Sequence, residues 1–139
     1  MRLFLDANIL VSVFNKEYPL FTYSARILSL CNNRKFAVCT SPICLAIAFY
    51  FAEKKFGSKL AKQKIGLLAN HIQITDVGKE VVVQALENKK VNDFEDGLEY
   101  YSAMKNKCDI IITEDVKDFY FSAVEVIRSK DFMEKYLHA

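Results

Sequence analysis

The fold is decided by two short stretches, LFLDAN at residues 3–8 and IIITED at residues 110–115. Each is an apolar run, typical of a buried β-strand, that stops at a carboxylate. The carboxyl ends of parallel strands converge on the ligand crevice of an open α/β sheet, so Asp6 and Asp115 are expected to lie close together. Carboxylate oxygens gathered at such an edge are suited to holding a hard divalent cation.

Length and composition predict one domain. The chain has 139 residues, near the usual domain size, and 52% of them are hydrophobic. A net charge of +2 is low for a nonspecific nucleic-acid binder, so any such activity must come from local patches. The cysteines form no CxxC pair and stand in apolar surroundings, which favours reduced core thiols and a cytoplasmic protein over a disulfide framework or a zinc site. They are Cys31, Cys39, Cys44 and Cys108.

No membrane association is expected from the apolar segments. The apolar start is short and contains Arg2 and Asp6, so it does not resemble a signal peptide. The apolar stretch at 42–52 is shorter than the roughly 20 residues that a membrane span needs.

Strand and helix signals alternate along the chain. Short apolar runs predict strands, each buried on both faces, at 2–6, 36–39, 71–74, 109–113 and 124–127. Helical patterns occur at 20–32, 42–55, 58–69, 75–87, 93–106 and in a short segment from 129. Ser41, Ser58 and Thr75 are the predicted N-caps. This alternation predicts an α/β fold, a parallel sheet with helices on both faces, and the consecutive helices within 42–69 form an arm on that core.

A further group of acids opens the last long predicted helix. Asp93 and Asp96 are three positions apart and share a face in the first turn, where the helix dipole favours negative charge. For Asp93 and Glu95, each taken alone, helix capping and pairing with the helix dipole are favoured over a functional role. Asp96 differs because Gly97 follows it on a helix that must pack on the sheet. Carboxylates brought close together repel one another unless a cation neutralises them, so Mg²⁺ or Mn²⁺ is the expected cofactor.

Other catalytic chemistries find little support in the sequence. The only histidines are His71, on a predicted strand, and His138, near the end of the chain. A Ser-His-Asp or Cys-His arrangement therefore has little to build on. There is no GxxxxGK[ST] or GxGxxG motif that would cradle a phosphate.

In this order the motifs resemble the PIN-domain family of metal-dependent ribonucleases, in its branch of VapC-like toxins. The opening FLDANIL at 4–10 resembles the family's strand-to-helix start, and DFEDGLEYY at 93–101 resembles the helix with the third acid. The segment CDIIITED at 108–115, followed by KDF, resembles the strand that ends in the fourth acid. The resemblance covers nearly the whole chain. It implies a single three-layer PIN-like domain over 1–139, with a central parallel sheet of four to five strands, flanking helices and a two-helix arm.

The resemblance also implies an activity and its partners. The chain would be a Mg²⁺- or Mn²⁺-dependent endoribonuclease that hydrolyses RNA phosphodiesters with a metal-activated water. It would act as the toxin of a toxin–antitoxin pair, with RNA, an antitoxin protein and a second copy of itself as partners. The implied catalytic residues are Asp6, Asp96 and Asp115, which would hold the metal, and Asn8, a polar helper near it. The implied auxiliary metal acids are Asp93 and Glu114.

One position departs from the family pattern. The family commonly has a second acid in the helix after the second strand, and Ile47 stands at the matching place after Ser41. Glu53 lies six residues further and about 120° round the helix, so it cannot take that place without a change of register. The alternative function is therefore a catalytically weakened PIN-fold module that binds RNA or protein. A phosphatase or phosphotransfer domain is disfavoured because Asn8 stands where it would need an acid.

The basic and aromatic residues leave two interpretations open. Lys55, Lys59 and Lys62 fall at i, i+4 and i+7, which suits either a stripe that binds nucleic-acid phosphates or a solvated helix face. Neighbouring aromatic residues at 49–51 and 100–101 point in more than one helical direction, so some rings are expected at the surface. Such rings would suit a partner surface or base stacking.

Overall fold

The sheet is entirely parallel, as predicted. The computed structural model describes residues 1–137, so His138 lies outside the described residues. Within this range five strands follow the spatial order β3-β2-β1-β4-β5. They are β1 (Arg2–Leu5), β2 (Ala37–Thr40), β3 (Gln73–Ile74), β4 (Ile110–Ile112) and β5 (Glu125–Ile127).

Helices cover both faces of this sheet. Over residues 1–137 seven α-helices form, and helix α1, which only the family resemblance predicts, follows β1 directly. They are α1 (Ala7–Phe14), α2 (Leu20–Leu28), α3 (Pro42–Phe56), α4 (Ser58–Ala69), α5 (Lys79–Glu87), α6 (Phe94–Lys105) and α7 (Ser129–Phe132). Short 3₁₀ segments at Ser29–Asn32 and Val116–Phe119 and a π-helical segment at Met133–Leu137 complete the described chain.

The core lies around the two central strands. Leu3, Phe4 and Leu5 of β1 are fully buried, as are Ile111 and Ile112 of β4. Successive side chains of a strand point to opposite faces, so burial of consecutive residues requires helices on both sides of the sheet. The predicted three-layer α/β architecture is therefore confirmed.

Three predictions for the part of the chain from Ser58 to Thr75 are wrong in detail. The strand expected at 71–74 shrinks to two exposed residues at the edge of the sheet, which leaves His71 exposed outside it. Thr75 does not cap α5. Its backbone N–H donates to the carbonyl of Thr40 at 2.8 Å, which extends the sheet pairing, and α5 begins only at Lys79. Ser58 is the first residue of α4 rather than its cap, which is Gly57.

The two consecutive helices α3 and α4 form as predicted, and α3 also packs against α1. The Ser41 hydroxyl caps α3 by accepting a hydrogen bond from the backbone N–H of Cys44 at 3.1 Å. Ala48 and Ala52 on α3 and Ala61 on α4 are fully buried. These small side chains allow the helices to approach one another closely, which places one face of α3 beside the carboxyl end of β1.

The strand order fixes where a site can form. Strand β1 lies between β2, the next strand along the chain, and β4, which follows much later. The connections leave β1 and β4 in opposite directions, which opens a crevice outside the carboxyl ends of these two strands. The residues that follow β1 and β4 are the acids identified from the sequence.

Two predictions from composition can be compared with the described chain. Cys39, Cys44 and Cys108 are buried free thiols, as expected of core cysteines, whereas Cys31 is half-buried. Within residues 1–137 no helix combines the length and the apolar character needed to cross a membrane.

Candidate metal centre

An acidic cleft of about 460 Å³ opens at the carboxyl ends of β1 and β4. Its walls contain the four predicted catalytic residues, Asp6, Asn8, Asp96 and Asp115. Both predicted auxiliary acids, Asp93 and Glu114, also line it. The structure therefore brings all six together, although they come from three separate parts of the chain. The cleft has four further acids to which the sequence analysis gave no site role: Glu17, Glu95, Glu99 and Asp118.

Asn8 connects the acids that follow β1 and β4. Its side-chain nitrogen lies 3.4 Å from Oδ2 of Asp6 and 3.2 Å from Oδ2 of Asp115. Its side-chain oxygen accepts a hydrogen bond from the backbone N–H of Glu114 at 3.2 Å. Asn8 thus fixes the relative positions of the two carboxylates. This contact is consistent with the role of a polar helper near the metal that the resemblance implies.

Thr113 is a second connecting residue, and the sequence analysis missed it. This fully buried hydroxyl donates to Oδ2 of Asp6 at 2.7 Å and accepts from the backbone N–H of Asp115 at 3.0 Å. The available signal was a hydroxyl residue at the end of an all-isoleucine strand, two positions before the acid. Thr113 orients the Asp6 carboxylate, and it also shapes the turn that carries Asp115.

The start of α6 presents Asp96 to the cleft. The Asp93 carboxylate accepts hydrogen bonds from the backbone N–H groups of Glu95 at 2.8 Å and Asp96 at 3.3 Å. Asp93 therefore caps the helix, which is the structural role considered for it from the sequence. Asp96 is half-buried. Burial, followed by the negative charges of Asp93, Asp118 and Asp6, raises the pKa of Asp96 to about 7.

Glu114 has a structural task at the edge of the cleft. Its carboxylate accepts hydrogen bonds from the backbone N–H of Ser129 at 3.0 Å and from the Ser129 hydroxyl at 2.7 Å. These contacts tie the end of β4 to the start of α7. The Glu114 carboxylate is thus engaged through one oxygen, as the Asp93 carboxylate is through Oδ1 at the start of α6.

The three predicted nucleic-acid lysines do not line the cleft. Lys55 lies on α3, where its ammonium group donates to the carbonyl of Asn15 at 2.7 Å, and Lys59 and Lys62 are exposed on α4. Gly57, at φ +83°, separates the two helices, so an i, i+4, i+7 spacing across it does not define one helix face. The spacing argument fails, and nucleic-acid binding by these lysines stays a prediction.

Glu99 is the most unexpected acid of the cleft. It is 1% exposed, and its Oε1 lies 2.6 Å from Sγ of Cys44, which donates to it. Burial, followed by the charge of Asp6, raises the pKa of Glu99 to about 10, and burial also raises the pKa of the Cys44 thiol. One ligand atom from each of Asp6, Cys44 and Glu99 lies within 4.8 Å of the others. The available signal was its position three residues after Asp96, on the same helix face.

The cleft gathers negative charge without a cationic side chain to balance it. Burial and neighbouring carboxylates raise the pKa values of Glu95 and Asp118 as well. In the described part of the chain, the salt bridges are Lys105–Glu80 and Lys135–Glu125, and neither involves a cleft acid. Repelling carboxylates on rigid strand and helix ends fit a hard divalent cation, because buried charges are otherwise paired or neutralised.

Gly97 allows α6 to approach α5 closely enough to position Asp96. A Cβ atom at residue 97 would lie 2.7 Å from Cγ1 of Val91 and 3.1 Å from Cβ of Ala85. We expect Gly97→Ala to lower the free energy of unfolding by about 1–3 kcal/mol in a urea titration, as overpacking does. The control is Gly66→Ala on α4, where no atom lies within 4 Å. It should gain about 0.5–1 kcal/mol of helix propensity. Equal stability changes in the two variants would contradict this packing argument.

Comparison with known proteins agrees with this geometry. Residues 2–117 match the PIN domain family. The chain is 30% identical to "Ribonuclease VapC1" of Aquifex aeolicus (strain VF5), over 97% of this chain and 95% of that protein. Its fold is similar to that of a chain in the crystal structure of VapBC2 from Rickettsia felis bound to a DNA fragment from their promoter, with a TM-score of 0.69. The two chains are 18% identical, and the match covers 92% of this chain and 98% of that one. It is also similar to a chain of a toxin-antitoxin complex from Klebsiella pneumoniae, with a TM-score of 0.63, 17% identity, and coverage of 85% and 90%. The chain therefore belongs to the PIN-domain family.

Proposed function

We propose that this protein is a Mg²⁺- or Mn²⁺-dependent endoribonuclease, acting as the toxin of a toxin–antitoxin pair. The observation that carries the proposal is the meeting of Asp6, Asp96 and Asp115 in one cleft at the topological switch point of the sheet. The 30% identical relative that is named a ribonuclease supports the choice of RNA as substrate.

Each residue of the site would have a separate task in this reaction. Asp6, Asp96 and Asp115 would hold the cation. Asn8 would keep the carboxylates of Asp6 and Asp115 in fixed relative positions. A bound divalent cation would supply positive charge to the phosphodiester and lower the pKa of a water molecule. Asp93 would hold the first turn of α6 in place, so that Asp96 faces the cleft before substrate arrives.

The test is cleavage of an end-labelled single-stranded RNA pool by the purified protein. We expect internal cleavage in Mg²⁺ or Mn²⁺, its complete loss in EDTA, and its return when Mn²⁺ is added in excess, because the carboxylates repel one another without a cation. Cleavage that persists in EDTA would contradict the metal requirement. RNA binding without cleavage would favour the weakened binding module, and release of terminal phosphate alone would favour the phosphotransfer reading.

An apolar groove is a candidate binding site for the antitoxin. This groove of about 550 Å³ lies between α1, α2 and α4, on residues distinct from those of the acidic cleft. Phe14, Phe21, Leu28 and Leu67 are among its walls. We propose that it receives an amphipathic segment of the antitoxin, since apolar grooves between helices bind such segments through regularly spaced anchors. The toxin-antitoxin complex among the structural neighbours supports an antitoxin as the occupant.

Leu67→Asp tests the groove directly. Leu67 is 66% exposed, so the substitution should leave folding intact while it places a negative charge in the apolar groove. We expect it to weaken binding of the protein encoded immediately upstream at least tenfold in a titration. Leu86→Asp, at an equally exposed leucine on α5, should bind normally. Equal binding by both variants would place the partner elsewhere. A homodimer, which the resemblance also implies, stays a prediction that light scattering checks.

A further inference from the structure

We propose that Glu99 supplies the carboxylate that α3 lacks at Ile47, and so acts as the fourth acid of the metal centre. This inference rests on the proposed function, because it names an additional ligand of the same site. The acid would come from α6, which already carries Asp96, instead of from α3.

The first observation is what α3 presents to the cleft. Ile47 lines the cleft at the place where the family resemblance expects an acid, together with Phe51 one turn later. Glu53, the acidic residue of α3, is exposed and does not line the cleft. Helix α3 therefore contributes no carboxylate to the site and leaves an apolar wall beside Asp6.

The second observation is where Glu99 lies. It is on α6, one turn after Asp96, so both acids share the helix face that looks toward the end of β1. Its carboxylate is beside Asp6 and Cys44, with one ligand atom from each of the three within 4.8 Å of the others. Glu99 also lines the cleft, so the buried carboxyl group borders the same space as Asp6, Asp96 and Asp115.

The third observation is that the protein alone offers the Glu99 carboxyl group few favourable polar partners. The Cys44 thiol, a weak donor, hydrogen-bonds to it, and its other hydrogen-bond partner is the carboxylate of Asp6, which is itself an acid. Within residues 1–137 no lysine, arginine or histidine forms a salt bridge with it. A charged carboxylate buried to 1% exposure beside another acid is costly, so such a group is paired, coordinates a metal or takes up a proton when the metal is absent. A packing role alone would be filled better by an apolar side chain or by glutamine.

The experiment measures Mn²⁺ binding by calorimetry and the melting temperature with and without Mn²⁺. Glu99→Gln should bind Mn²⁺ at least tenfold more weakly and lose most of the thermal shift, while its metal-free melting temperature stays equal or rises. Glu53→Gln, which removes the exposed acid of α3, is the matched control and should bind normally. The double variant Ile47→Glu/Glu99→Ile moves the acid from α6 back to α3, and it should recover Mn²⁺ affinity to within about threefold of the wild type.

The outcomes separate this inference from the proposed function. Wild-type Mn²⁺ affinity in Glu99→Gln, with metal-dependent RNA cleavage still intact, would overturn the role of Glu99 and leave the nuclease proposal standing. A lower metal-free melting temperature with unchanged Mn²⁺ affinity would show that Glu99 serves packing only. A wild-type protein that neither binds Mn²⁺ nor cleaves RNA would overturn both proposals together.

Discussion

Replacing Asp96 by asparagine is expected to reduce RNA cleavage by at least about 100-fold, because under the proposed function it removes a charged oxygen ligand of the cation. Asp96 is held toward the cleft by the cap that Asp93 provides and by the close approach at Gly97. The amide keeps the size and shape of the side chain, but it replaces one acceptor oxygen by an NH2 donor and removes the charge. Cleavage of labelled RNA in saturating Mn²⁺ gives the measurement.

The same variant should not be less stable, which separates a loss of function from a loss of folding. In metal-free buffer at pH 8, we expect Asp96→Asn to raise the free energy of unfolding by about 1–2 kcal/mol, allowing for solvent screening of a half-buried group. The reason is that one of several repelling charges is gone. Asp76→Asn, at an exposed acid outside the cleft, should change neither property. Full cleavage by Asp96→Asn would contradict the assigned role.

The metal-free protein is expected to become less stable as the pH rises from 5 to 9, by at least about 3 kcal/mol in the free energy of unfolding after allowance for solvent screening. The folded protein holds the pKa of Asp96 at about 7 and that of Glu99 at about 10, both above their ordinary values of 3.8 and 4.5. Above pH 4 the folded state therefore binds more protons than the unfolded state. The stabilisation that these protons provide is fully present below about pH 4. It is lost as the pH passes first through 7 and then toward 10.

Urea titrations at several pH values, in the presence of EDTA, measure this dependence. Excess Mn²⁺ should flatten the curve, because a bound cation replaces protons as the partner of the carboxylates. The range above pH 5 avoids Glu125, whose pKa is lowered chiefly by its hydrogen bond from Lys135 and whose contribution is lost only in acid. A stability that rises with pH between 5 and 9 would show that the cleft carboxylates do not repel as the geometry indicates.

The sequence predicts the sheet and most of the site because both depend on local patterns. Asp6 and Asp115 end apolar runs, and parallel pairing brings such ends together whatever the rest of the chain does. Asp96 follows from its place in the first turn of α6. These three acids could be identified without knowing any tertiary contact.

What the sequence does not predict depends on packing between distant segments. Glu99 lies between apolar residues of α6, and its burial requires Cys44 of α3 as a neighbour, which no local pattern indicates. Thr75 has the sequence of a helix cap but pairs with Thr40 at the end of the sheet, because a sheet contact outcompetes a cap. The lysine spacing fails for a simpler reason, since Gly57 ends one helix and starts another.

The proposed nuclease activity requires that Asp6, Asp96 and Asp115 together bind a divalent cation. Anomalous scattering from a crystal of the protein soaked in Mn²⁺ measures this binding. We expect one strong Mn²⁺ peak in the acidic cleft, within coordination distance of carboxylate oxygens from all three residues. A crystal with no peak in the cleft, at a Mn²⁺ concentration that supports RNA cleavage in solution, would contradict it.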